Sequence, residues 1–101
     1  MPGNPIIYFR EMKIKVRVPL SLHRFTGNQT EFECMGRNLG ELLNDMIFRF
    51  PEIKDQIFDD DGRIRSSFSF VLNGKLIKRG NYDIALNDED EFLIMQLVAG
   101  G

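Results

Sequence analysis

Two segments near the start of the chain alternate between apolar and polar residues. Residues 12–18 place apolar side chains on one side and basic ones on the other, and residues 30–34 alternate in a similar way. A period of two is typical of a strand with one buried face. Pro19 ends the first segment, and Gly27-Asn28 supplies a turn between the two. The pattern therefore predicts an antiparallel pair of strands joined by a long loop.

The middle of the chain has helical periodicity. Its apolar residues recur at every third or fourth position: Leu39, Leu42, Leu43, Met46, Ile47 and Phe50. This spacing places them on one side of a helix. Asn38 is a suitable N-cap, and Glu41, three residues later, completes a start similar to a capping box. Pro51 ends or restarts the helix, and residues 53–58 predict one or two further turns.

The second half of the chain predicts three more strands. Residues 67–72 form the third strand, with their phenylalanines facing inward. Asn73-Gly74 is the strongest hairpin signal in the sequence, so a short strand is expected at 75–77. Residues 91–98 form the last strand. The order ββαβββ indicates an α+β domain with one main helix packed on one face of a sheet.

The size and net charge of the chain limit the classes of function it can have. The chain has 101 residues, enough for one domain with one core. Its net charge of -2 argues against a nucleic-acid-binding surface, and no apolar run predicts a membrane span or a secretory signal. We divide the chain into an N-terminal arm (residues 1–10), a domain (residues 11–98) and a C-terminal tail (residues 99–101).

The chain offers little catalytic or metal-binding chemistry. One cysteine and one histidine cannot make an intramolecular disulfide, a thiolate cluster or a His-rich metal site. Cys34 suits a small core position, and His23 has no suitable partner near it in sequence. The acidic run 59–62 lacks the alternating ligands of a calcium loop. Residues 88–91 predict a solvated turn or a contact for basic residues of a partner. We expect no catalytic residue and no metal site.

The chain ends in Gly100-Gly101, a pair that arises by chance in roughly 0.5% of chains. Glycine has no Cβ and adopts backbone conformations closed to other residues. Such a tail can thread a narrow channel and present the carboxylate of Gly101 inside a partner's active site. Adenylation with ATP is the natural activation of that carboxylate. The alternative is a frayed end whose glycines have no role.

The last strand is apolar on both sides. Two sets of residues alternate along it: Phe92, Ile94 and Val98 on the side that fits the core, and Leu93, Met95 and Leu97 on the other. A central strand covered on both faces is one explanation. A single main helix, however, covers only one face. We therefore favour the second set as an exposed patch that binds a partner.

Five short motifs occur in order over most of the chain: LGELL at 39–43, FPEI at 50–53, VLNG at 71–74, DEDEF at 88–92 and VAGG at 98–101. With the ββαβββ order, they resemble the MoaD/ThiS group of ubiquitin-like β-grasp sulfur carriers. Residues 24–29 (RFTGNQ) are similar to a loop in the subset that includes the carrier for cysteine biosynthesis. Two positions depart from the group: Glu89 stands where glycine is frequent, and Gln96-Leu97 replaces a frequent Pro-Pro.

The resemblance implies a β-grasp fold with a mixed sheet of four to five strands. It implies that an E1-like enzyme uses ATP to adenylate Gly101, and that a sulfur donor then forms a thiocarboxylate. Val98, Ala99 and Gly100 would be the tail that enters the partner. An acceptor enzyme or synthase subunit would receive the sulfur. The chain would be a cytoplasmic carrier or cosubstrate, or the small subunit of a heteromeric synthase, with no bound cofactor, no nucleic-acid or membrane partner and no activity alone.

Two alternatives stay open. A substrate lysine could attack the same adenylate, which would make the chain a protein modifier joined through Gly101. The chain could also be a plain interaction module whose glycines are incidental. Molybdopterin, thiamine, cysteine and thiolated tRNA bases are all open as end products of the carrier.

Overall fold

The computed structural model describes residues 12–97, and the predicted arm and tail lie outside this range. The elements follow the chain as β1 (Lys13–Arg17), a 3₁₀ helix (Leu20–Phe25), β2 (Glu31–Met35), α1 (Leu39–Arg49), α2 (Ile53–Ile57), β3 (Phe68–Leu72), β4 (Lys75–Leu76) and β5 (Glu91–Gln96). The predicted order ββαβββ is confirmed, with α2 as the short helical segment expected after Pro51.

The five strands form one mixed sheet in the order β2-β1-β5-β3-β4. The central pair, β1 and β5, is parallel, and the other neighbours are antiparallel. The helices cover one face, because the buried side of α1 joins the inward side of the sheet in one core. Its largest fully buried members are Ile14, Leu22, Leu39, Leu42, Met46, Ile53, Ile57, Phe70, Phe92 and Ile94. Within residues 12–97, the sheet therefore has one packed face and one face without a helix.

The start of α1 differs from the capping box that the sequence suggests. Asn38 is the N-cap, and its side-chain oxygen accepts the Glu41 N–H at 2.9 Å. The Glu41 carboxylate accepts from the N–H of Arg37, also at 2.9 Å, and not from Asn38. It also bonds the Arg37 guanidinium, which holds the pKa of Glu41 below its ordinary value. Asn38 is thus the N-cap that the sequence predicts, but the reciprocal bond of the capping box falls one residue earlier, on Arg37.

Gly36 joins β2 to α1 at a point where the two backbones nearly touch. A Cβ at this position would lie 2.5 Å from the Leu42 nitrogen and 2.9 Å from the Leu42 Cα. No real Cβ contact is that short, so only glycine fits without a shift of the helix. The close approach fixes how α1 lies across the sheet.

The loop predicted after Pro19 contains a 3₁₀ helix instead. Its first bond runs from the N–H of Leu22 to the carbonyl of Pro19, at 3.0 Å. Leu22 and Phe25 are three residues apart, which puts them on the same side of a helix with three residues per turn. Leu22 is buried and Phe25 packs against the core. Thr26, also buried, closes the segment by donating to the carbonyl of Gln29 at 2.8 Å.

Candidate functional site

The two faces of β5 differ as the sequence predicts. Phe92 and Ile94 are buried in the core under the helices. Leu93 is half-buried on the opposite side of the strand, and Met95 is 38% exposed there. This alternation follows from the pleat, which turns successive side chains to opposite faces.

Three strands build an apolar strip on the face without a helix. Leu93 lies opposite Val71 of β3, and Val71 lies opposite Leu76 of β4. Val71 is buried although it does not belong to the core cluster, while Leu76 is 70% exposed. Met95 extends the strip along β5, opposite Ser69. We call Val71, Leu76, Leu93 and Met95 the sheet-face patch.

Charged side chains occupy the other half of the same face. Lys15 of β1 lies in register with Glu33 of β2 and with Glu91 of β5. Arg17 forms an ion pair with Glu31 at 3.1 Å. Opposite charges thus alternate across the three strands and stabilise their pairing. The basic side chains of β1 lie beside carboxylates of β2 and β5, so this half of the face is not a phosphate-binding strip.

The root of the C-terminal tail is tied to the domain on two sides. Leu97, the last described residue, donates its N–H to the carbonyl of Ser67 at 2.6 Å. Gln96 accepts a hydrogen bond on its side-chain oxygen from the hydroxyl of Ser21 in the 3₁₀ helix. Leu97 itself is 48% exposed. Val98 to Gly101, the tail predicted to enter a partner and react there, lie outside the described residues.

The acidic segment before β5 serves the fold. Asp88 accepts the N–H of Lys13 at 3.0 Å, and Asp90 accepts the N–H of Asn87 at 2.7 Å. Asn73 exchanges two hydrogen bonds with Glu91: its N–H donates to the Glu91 carbonyl at 2.8 Å, and its side-chain oxygen accepts the Glu91 N–H at 2.9 Å. These bonds fasten the hairpin turn to the start of β5. The segment is therefore an ordered loop, not only a solvated turn.

The remaining candidate residues do not form a chemical site. Cys34 is fully buried, and burial together with the nearby Asp45 raises the pKa of its thiol to about 12. Such a thiol is a core residue and not a nucleophile. The Asp59 carboxylate accepts the N–H groups of Asp61 and Arg63, at 2.9 and 3.0 Å, so it organises its own turn. Among residues 12–97, no group of side chains is suited to hold a metal ion.

Three exposed apolar residues were not singled out from the sequence. Phe48 of α1 is 83% exposed, Leu20 at the start of the 3₁₀ helix is 81% exposed, and Leu76 belongs to the sheet-face patch. Side chains alternate between the two faces along the short strand after Asn73-Gly74, and this alternation could have indicated that Leu76 is exposed. Leu20 carries no such signal, because the 3₁₀ helix was itself expected to be loop.

Comparison with known proteins decides the family. The model of the ThiS family matches residues 16–101, a range that includes both terminal glycines. The chain belongs to the ThiS family. This family comprises ubiquitin-fold sulfur carriers and modifiers, and small carriers of this type are generally not catalytic themselves. A comparison with curated proteins finds no match.

Solved structures confirm the β-grasp fold of this ThiS-family chain. CysO from Mycobacterium tuberculosis is 23% identical, with a TM-score of 0.76 over 84% of this chain and 99% of that one. A chain of the Amycolatopsis orientalis BexX/CysO complex is 24% identical, with a TM-score of 0.77 and coverage of 87% and 99%. Small archaeal modifier protein 1 from Methanosarcina acetivorans is 24% identical, with a TM-score of 0.74 and coverage of 92% and 100%.

The length and composition of the helices also bear on membrane insertion. None of the helices within residues 12–97 combines the length and the apolar character needed to span a bilayer.

Proposed function

We propose that this protein is a sulfur carrier whose cargo is held on Gly101. The observation that carries the proposal is the extent of the ThiS-family match, which runs through the domain and into the Gly100-Gly101 end. The domain provides recognition, and the tail provides the reacting group. Its sulfur would go to cofactor or cysteine biosynthesis.

The chemistry takes place in two steps on the partner enzyme. The carboxylate oxygen of Gly101 attacks the α-phosphorus of ATP, forming the acyl-adenylate and releasing pyrophosphate. A sulfide-level donor then attacks the carbonyl carbon. The new C–S bond forms as the C–O bond to AMP breaks, and AMP leaves with its electron pair. The product is a thiocarboxylate that an acceptor enzyme or synthase subunit discharges. ATP belongs to the activating partner, and the carrier itself holds no cofactor.

Leu93 and Met95 of the sheet-face patch, together with Leu97, support this proposal because they directly precede the tail in the chain. A partner that binds Leu93, Met95 and Leu97 is positioned to receive Val98, Ala99 and Gly100 in its channel. The apolar strip would provide binding affinity, and the small tail residues would allow the tail to enter the channel of the partner. We place the reaction in the cytoplasm, where ATP is available to the activating enzyme.

A second function uses the same intermediate. A lysine amine that attacks the acyl-adenylate would give an isopeptide bond, and the chain would then act as a protein modifier. The similarity to small archaeal modifier protein 1 favours including this candidate. Diglycine remnants on lysines of other proteins would identify it.

ATP–pyrophosphate exchange tests the activation step. The assay pairs the purified chain with the E1-like adenylating enzyme of its own organism. We expect exchange with the intact chain and none after deletion of Gly101, while both proteins keep the same melting temperature. Exchange that persists without Gly101, or a melting temperature that collapses, would contradict the assignment of the tail.

A further inference from the structure

Leu20 lies beside the root of the tail although it is far from it in sequence. Ser21, its neighbour in the chain, bonds the side chain of Gln96, and Leu97 follows Gln96 immediately. Because neighbouring Cα atoms are 3.8 Å apart, Leu20 and Leu97 flank the same hydrogen bond. The parallel pairing of β1 with β5 brings both ends to one edge of the molecule.

The 3₁₀ helix that carries Leu20 is packed against the domain. Leu22, two residues on, is fully buried in the core. Thr26 is also buried, and its hydroxyl lies within hydrogen-bonding distance of the carbonyls of Leu22, His23 and Gln29. Leu20 itself remains 81% exposed. This packed segment holds Leu20 at the surface beside the tail root, where an enzyme that acts on the tail can contact it.

The length of the tail restricts where a partner can sit. Gly101 is four residues beyond Leu97, and an extended chain of that length spans at most about 14 Å. An enzyme that acts on Gly101 must therefore bring its surface within that distance of Leu97. A standard interface of about 800 Å² per partner is about 30 Å across. A patch of that size around the tail root includes the 3₁₀ helix as well as the sheet face.

We propose that Leu20 is a docking residue for the enzyme that processes the tail. Leu20 and the exposed pair Met95 and Leu97 then contact the enzyme from opposite sides of the root, and the Ser21–Gln96 hydrogen bond joins these two sides. The inference rests on the proposed function. It adds a contact from the β1–β2 connection to a surface otherwise built from β3, β4 and β5.

The test measures KM and kcat of the adenylating enzyme for the full chain, by ATP–pyrophosphate exchange. For Leu20→Ser we expect KM to rise about tenfold with kcat nearly unchanged, because the lost contact contributes to binding and not to chemistry. Leu20→Met, which keeps an apolar side chain, should stay within about twofold of the parent. Phe48→Ser is the matched control, since Phe48 is equally exposed but lies on the helix layer across the core.

The outcomes separate this inference from the function on which it rests. An unchanged KM for Leu20→Ser, with exchange intact in the parent, would overturn the role of Leu20 alone. Equal losses for Leu20→Ser and Phe48→Ser would also overturn it, because the effect would not be specific to the tail root. No exchange with the parent would contradict the proposed function and this inference with it.

Discussion

Val71 and Leu93 lie directly opposite one another in β3 and β5, on the face of the sheet that none of the described helices covers. Each has a further apolar neighbour: Leu76 beside Val71, and Met95 two residues beyond Leu93 on the same face. The strip that results ends at the root of the C-terminal tail. In the proposed function, Leu93 and Met95 of this strip would bind the partner just ahead of the tail that the partner processes.

A charge in the strip should prevent docking without unfolding the domain. Met95→Asp is expected to weaken binding to the activating enzyme by at least about tenfold, because a buried, unpaired carboxylate is costly at an interface. Titration calorimetry would measure it, with Phe48→Asp as the control on the helix layer. Unchanged affinity would mean that this face is not the interface, and loss of the folded state would mean that Met95 packs internally.

Gly36→Ala should destabilise the domain by about 1–3 kcal/mol, because the new methyl group cannot fit against the backbone of Leu42. Gly40→Ala is the matched control. A Cβ at Gly40 meets its nearest neighbour, the Asn38 side-chain oxygen, at 3.4 Å, and alanine favours the helix. Urea unfolding should therefore show a clear loss for the first variant and little change for the second. Equal effects would refute the close approach of β2 and α1.

Glu89 has a φ of +70°, a conformation that costs a residue with a Cβ about 1 kcal/mol. Glu89→Gly removes this strain, although glycine also increases the entropy of the unfolded chain. We expect a net gain of about 0.5 kcal/mol and a melting temperature about 2–4 °C higher. Glu91→Gly, in the extended backbone of β5, should instead lower it. A melting temperature that falls for both variants would contradict the account.

The buried thiol of Cys34 predicts a stability that falls in alkaline solution. Its pKa rises from 9.0 to about 12 on folding, chiefly through burial. Between these values the unfolded chain releases the thiol proton and the folded chain keeps it, so the free energy of unfolding decreases as pH rises. The slope from this group approaches about 1 kcal/mol per pH unit.

Cys34→Ala isolates this contribution from every other pH-dependent contribution to stability. The difference in unfolding free energy between the parent and Cys34→Ala should shrink as pH rises from 8 to 10, measured by urea unfolding. A difference that stays constant over this range would show that the thiol titrates alike in both states.

Local pattern was enough to predict most of the elements. The apolar stripe that begins at Leu39 predicts α1 because its buried side packs on the sheet, and Asn73-Gly74 predicts the hairpin because both residues adopt positive φ. The alternation along β5 likewise separates Met95 from the core. In each case a repeated physical requirement, burial or backbone conformation, leaves a regular trace in the sequence.

Features that depend on contacts between distant segments leave no such trace. The close approach of Gly36 to Leu42 follows from how α1 crosses the end of β2, and one glycine does not reveal it. The 3₁₀ helix has only Leu22 and Phe25 to mark its period. The nearness of Leu20 to the tail root arises from the parallel pairing of β1 with β5, which joins residues more than seventy positions apart.

The central claim is that Gly101 carries sulfur, and the intact mass of the protein tests it most directly. The chain would be incubated with ATP, a sulfide donor and an extract of its own organism, then compared with the variant that lacks Gly101. We predict a species heavier by the exchange of one oxygen for one sulfur, present only with ATP and only with Gly101. An unchanged mass in an extract that converts a known carrier to its thiocarboxylate would contradict the account.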